Sequence, residues 1–160
     1  MKPAEIGLKR QLSVHSHTLK NELTVLLVEN RSLPTVSITA SVLAGARYDP
    51  EAKAGMAIMV SRLLDEGTEN RTSLEMADAI ESVGGAIDTD GSFERIAASA
   101  GVLNKDIDLG LELLADLLIR PVFPQEYVDK EKERTLAEIT SAKDRMRTPG
   151  RWLWSCAKRD

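Results

Sequence analysis

Thr35 to Val42 alternates strictly: Val36, Ile38, Ala40 and Val42 fall on one side, Thr35, Ser37, Thr39 and Ser41 on the other. A period of two puts every second side chain on one face of a strand, so this segment predicts a strand with one buried face. Upstream, Leu23 to Val28 is an apolar, β-prone run. Ser13 to Leu19 predicts its hairpin partner, with the turn at Lys20-Asn21-Glu22. Gly45 to Pro50 breaks the strand pattern. The period then lengthens. Met56, Met59, Val60, Leu63 and Leu64 recur at helical spacing and predict a helix from about Glu51 to Asp65, closed by Gly67. Thr72 with Glu75 has capping-box form and opens a second helix. Its buried stripe is Met76, Ala79, Ile80 and Val83, and Gly84-Gly85 stop it.

Two short strands follow, near 86–89 and 95–103. Asp106 caps a third helix that turns Ile107, Leu111, Leu114 and Leu118 inward and ends at Pro121. Pro124 suits the first turn of a fourth, running to about Lys143. Thr148-Pro149-Gly150 breaks the pattern, and Arg151 to Asp160 reads as the opening of another helix. The order β-β-β-α-α-β-β-α-α predicts an α+β fold with a mostly antiparallel sheet and helices packed on one face. No internal repeat, low-complexity tract or linker divides the chain, so residues 1–160 read as one domain. Its stop just after a new helix begins points to a fragment of a longer protein.

Composition narrows the function classes. Of the 160 residues, 42% are hydrophobic and 29% charged, the balance of a globular domain with its own core. Net charge is −4 and no basic patch is interleaved with aromatics, which argues against nucleic acid. No apolar run reaches the length of a membrane span, so no membrane insertion is expected. The first twenty residues hold no continuous apolar stretch of the secretory kind. That favours the cytoplasm, with the periplasm open to a chain whose signal has been removed. The single cysteine, Cys156, excludes an internal disulfide framework and reads as a small buried hydrophobe. Trp152 and Trp154 lie two apart and cannot share one helical face; Phe123 between Pro121 and Pro124 reads as a turn anchor, and Phe93 and Tyr48 as packing residues. Asp88 and Asp90 lack a further acid at a calcium-loop offset and read as part of a turn.

Six pieces, in order, resemble the pitrilysin/insulinase family, which includes the mitochondrial processing peptidases. They are Asn21 to Val28, Pro34 to Ile38, Ala44 to Pro50, the frame Gly55-Met56-Ala57 with Gly67-Thr68, Ile80 to Gly85, and Leu117 to Pro121. The match covers roughly Leu12 to Pro149. It implies the N-terminal domain of such a protein, an α/β roll of the metallopeptidase type, within a longer two-domain chain. One departure is early: Glu22 stands where the family has the glycine of Asn-Gly. Either the turn differs in type or Glu22 is held at positive φ under mild strain.

The larger departure is chemical. The family's His-x-x-Glu-His motif places two zinc-binding histidines one helical turn apart, with a glutamate as general base. Aligned on Gly55-x-Ala57 and Gly67-Thr68, these positions are Ile58, Ser61 and Arg62. Ile58 has no lone pair, Ser61 carries a neutral hydroxyl, and Arg62 is a fixed cation. The only histidines, His15 and His17, lie far upstream on a strand and read as surface residues. The resemblance implies that Glu138 holds the place of the third zinc ligand and Glu131 that of a second acid. Two readings of the acids stand. They are solvated charges among Lys130, Lys132, Glu133 and Arg134. Or Arg62, sharing a helical face with Ile58, Ser61 and Asp65, takes the metal's place and pairs with Glu138 or Glu131.

The resemblance thus implies no catalytic, metal or cofactor residue in this chain. It points to a non-catalytic subunit or half, with the zinc in a homologous catalytic partner and a peptide as substrate. Two alternatives are an active zinc endopeptidase with atypical carboxylate ligands (Asp65, Glu66, Glu131, Glu138) and a purely structural, core-protein-like subunit. An all-carboxylate set favours hard cations over zinc.

Overall fold

The computed structural model describes residues 13–147. Trp152, Trp154, Cys156 and the helix expected over 151–160 lie outside the described residues. The chain divides into two compact units, residues 1–34 and 35–160.

The first unit holds an antiparallel hairpin of β1 (Val14–Thr18) and β2 (Thr24–Val28). Its turn is a three-residue loop. Glu22 N–H donates to the Leu19 carbonyl at 3.0 Å, and Leu19 N–H to the Leu23 carbonyl at 2.9 Å. Glu22 lies at φ 68°, a left-handed position that costs a side chain energy and that glycine fills freely. Both expectations for this turn hold: the type differs from a two-residue Asn-Gly turn, and Glu22 carries the positive φ.

The second unit is built on an antiparallel sheet of order β3-β5-β4, formed by Thr35–Val42, Ile96–Leu103 and Ala86–Gly91. Asp88 and Asp90, expected in a turn, are strand residues of β4, which runs two residues further than its sequence implied. The alternation in β5 is sharp: Ile96, Ala98, Ala100 and Val102 are buried. Three helices cover that face, α1 (Met56–Leu63), α2 (Ser73–Ser82) and α3 (Ile107–Ile119). Small residues in the central strand let the helices approach closely. Leu113 and Leu117 are fully buried, each contributing about 1.5–3 kcal/mol of transfer energy. A fourth helix, α4 (Gln125–Arg147), packs on α1. No helix among the described residues is long and apolar enough to cross a membrane.

Several sequence expectations need correction. The stretch Glu51 to Asp65 is not one helix. A 3-10 turn at Glu51–Lys53 precedes α1, and another at Leu64–Glu66 follows it. The break falls at Gly55, whose φ of 94° no helix accepts. Met56, expected in the buried stripe, is exposed, and Ala57 is buried in its place. In α3, Leu111 is exposed, while Leu113, Leu114 and Leu117 face the core. Gly110 lies against Val102 and Ile38, and this close approach sets the rotation of the helix. Asp106 stands at the N-cap position of α3 but makes no capping hydrogen bond. Its Oδ2 is buried, with Lys105 Nζ at 3.8 Å. Phe93 and Tyr48, expected to pack, are exposed, as is Phe123 in the turn before α4. Arg47 stacks over the Tyr48 ring at 5.5 Å.

Candidate functional site

The site begins where α1 begins. The first N–H groups of a helix have no partner within it and carry the positive end of its dipole. Asp49 supplies both a partner and a charge. Its carboxylate accepts from Gly55 N–H at 2.8 Å and from Ala57 N–H at 3.0 Å. Pro50, the 3-10 turn and left-handed Gly55 fold the chain back so that Asp49 reaches the helix end. In the sequence Gly45 to Pro50 stands as a strand break and a piece of the family resemblance, with no role for Asp49. An acid a few residues ahead of a helix start was the signal for this cap.

One turn further, α1 is fixed to β4. Ser61 is buried, and its hydroxyl donates to the Ile58 carbonyl at 2.8 Å. Thr89 of β4 donates its hydroxyl to the Ser61 carbonyl at 2.9 Å. Gly91 faces the same serine. A Cβ there would overlap Ser61 Oγ and stand 2.8 Å from Ser61 Cβ. The absent side chain is what lets helix and strand touch. Ser61 was expected on the open helical face beside Arg62. Instead it is sealed against the sheet, and Ile58 is half-buried beside it. A hydroxyl held this way faces no water.

Arg62 points to α4. Its Nη1 donates to Glu131 Oε1 at 2.8 Å and to Glu138 Oε2 at 3.2 Å. Glu131 and Glu138 lie two turns apart on one face of α4, and one nitrogen spans both. Glu131 is buried, with 9% of its side chain exposed. It also meets Arg134 Nε at 3.1 Å and the Thr135 hydroxyl at 3.3 Å. The solvated-charge reading therefore fails for Glu131. Glu138, at 52% exposed, is the outer member of the pair. Hydrogen bonds from Arg62 to Glu131, then to Glu138, raise the guanidinium's pKa above its ordinary value, so the cation is permanent. Burial, then the Asp65 charge, pushes the neighbouring Glu66 up.

These residues do not fit zinc. Ile58 offers no donor atom, Ser61 is engaged with the Ile58 carbonyl, and Arg62 repels a cation. Among the described residues, no three His, Cys, Asp or Glu side chains are grouped to hold a metal. His15 and His17 are exposed on β1, opposite Leu27 and Val25. The arrangement can bind charge and hold two helices together.

Residues 24–150 match the family model described as insulinase, peptidase family M16. The chain belongs to this family. An uncharacterized zinc protease of Rickettsia felis is 29% identical over 126 residues, 79% of this chain and 31% of that protein. Cytochrome b-c1 complex subunit 1 of Bos taurus is 29% identical over 119 residues, 74% of this chain and 25% of its own length. A solved structure from Pseudomonas fluorescens, described as a peptidase M16 inactive domain, superposes with a TM-score of 0.77 at 25% identity. It covers 82% of this chain and 32% of that one. The chain thus spans about a quarter to a third of the length of these insulinase relatives. They carry names of both kinds, zinc protease and inactive domain.

Proposed function

We propose that this chain is a non-catalytic member of the insulinase family that supports a catalytic partner and contributes to its peptide-binding chamber. In this reading Ile58, Ser61 and Arg62 stand where the family's zinc ligands and base stand, and Glu131 and Glu138 are the acids left from that site. The single observation that carries it is the Arg62 guanidinium bonded to both acids. A fixed cation there keeps the carboxylates and the two helices in place without supplying a Lewis acid or a water activator. Ser61, folded back onto its own helix, supplies no base. The name of the Pseudomonas fluorescens domain supports the same reading. The catalytic zinc then belongs to a homologous partner or second domain bearing His-x-x-Glu-His, and the ligand of the shared chamber is a peptide.

The test is a pull-down of the tagged native protein from its own cells, with mass spectrometry and a chelator-sensitive peptide-cleavage assay on the eluate. The expected result is co-purification of a relative bearing the motif, with cleavage by the mixture and none by this protein alone. Cleavage by the pure protein overturns the proposal. The name of the bovine relative favours a second reading, a structural subunit of a larger complex. Recovery in a membrane complex with no motif-bearing partner would favour that reading.

A further inference from the structure

Arg62 and its two acids lie on helices far apart in sequence, so something must hold α1 and α4 at the right spacing. The ion pairs alone are a poor candidate, because Arg62 and Glu138 are partly in water. A second feature joins the two helices. The segment 67–72, which leaves α1, runs against 120–122, which leads into α4. Glu69 N–H donates to the Arg120 carbonyl at 3.0 Å, and Val122 N–H to the Gly67 carbonyl at 3.0 Å. Thr68 and Pro121 form the bridge between them. The loop also closes on itself: Thr68 N–H donates to the Arg71 carbonyl at 2.8 Å, and the buried Thr68 hydroxyl accepts from Arg71 N–H at 3.1 Å.

Asp116 pins this joint from α3. Its side chain is 7% exposed and accepts from Asn70 Nδ2 at 2.8 Å and Arg71 Nη1 at 2.6 Å. Arg120 adds a contact at 3.6 Å. Arg71 in turn reaches Glu112 at 2.6 Å. A buried carboxylate whose donors all come from one loop and its partner strand is satisfied in only one arrangement of the two.

We infer that Asp116 is a positioning residue: through the 67–72 loop it sets the spacing of α1 and α4 and so brings Arg62 within reach of Glu131 and Glu138. The inference deepens the proposed function and rests on its reading of the Arg62 pair. Hydrogen exchange of the α4 amides in the purified native protein tests it, because that exchange reports how firmly α4 is held. Four proteins are compared: wild type, Arg62→Ala, Asp116→Asn and the double variant. Arg62→Ala is expected to speed α4 exchange about tenfold in the wild-type background and less than about twofold when Asp116→Asn is already present, since coupled groups do not add. An equal speeding in both backgrounds overturns the inference and leaves the Arg62 reading intact. No speeding even in the wild-type background sinks the reading itself. If Asp116→Asn does not fold, Asn70→Ala, which removes one donor, takes its place, with the Arg62→Ala effect again expected to shrink.

Discussion

Arg62 Nη1 and Glu131 Oε1 lie 2.8 Å apart although 69 residues separate them in the chain. The acid is buried and the arginine about one third exposed, so the pair is asymmetric. Removing the arginine takes the shortest charged partner from a desolvated carboxylate and leaves it Arg134 and Thr135, whereas removing the outer acid leaves Arg62 still bonded to Glu131. Arg62→Ala is therefore expected to lower stability by about 2 kcal/mol, the range for a hydrogen bond to a charged group. Glu138→Ala, at a mostly solvated position, should cost less than about 1 kcal/mol. Chemical denaturation of both variants checks the order. Equal, negligible losses would mean that Arg62 holds nothing.

Gly91 carries a separate prediction. A methyl group there meets Ser61 Oγ and Cβ, so Gly91→Ala should cost about 1–3 kcal/mol through overpacking. Ser61→Ala in the same protein removes the hydroxyl and should recover part of that loss. Strict additivity of the two substitutions in thermal melts would show that they do not touch.

The turn holds Glu22 at φ 68°, a left-handed position that costs a side chain energy. Glu22→Gly is expected to raise stability by about 0.5–1 kcal/mol, because glycine adopts φ 68° without steric cost. A fall in denaturation midpoint would contradict this account of the turn.

Glu66 gives a pH-dependent prediction. Burial raises its folded pKa above the ordinary carboxylate value of 4.5. A carboxyl with a raised folded pKa favours the folded state fully below its unfolded pKa, and that contribution is lost as pH rises through the folded value. Glu66→Gln removes the titration, so the variant should be the more stable at neutral pH. Its advantage should vanish as pH falls below about 4.5. Melting temperatures across that window test the sign; an advantage that grows on acidification would contradict it.

Capping is the most local of these effects. Thr72 accepts from Glu75 N–H at 3.3 Å, and Glu75 accepts from Thr72 N–H at 2.8 Å. Thr72→Ala should cost about 1 kcal/mol, read from the same melts.

What was legible in the sequence had a local cause. Thr72 and Glu75 declared the capping box because its four residues contain the whole interaction. Thr35 to Val42 declared a strand because alternation is set by the backbone. The antiparallel sheet and covering helices followed from the order of such elements. The Arg62 pair was legible only as an alternative, since helical spacing puts Glu131 and Glu138 on one face but cannot reveal which face meets α1. The rotation of α3 was misread because leucine fills both candidate stripes, and the choice rests on Gly110 meeting β5. Ser61 was misplaced for the same reason: its burial is decided by Gly91, thirty residues away and on another element. Asp116 went unseen because its partners are loop donors brought near only by folding, whereas Asp49 had a local signal, an acid just ahead of a helix start.

The most direct test of the central claim is a calorimetric zinc titration of the purified native protein, free of partners. The account predicts no stoichiometric heat from this chain, because Ile58, Ser61 and Arg62 supply no zinc ligand and Arg62 already occupies the acids. A saturable one-to-one site of micromolar or tighter affinity that is lost on Glu131→Gln or Glu138→Gln would contradict it.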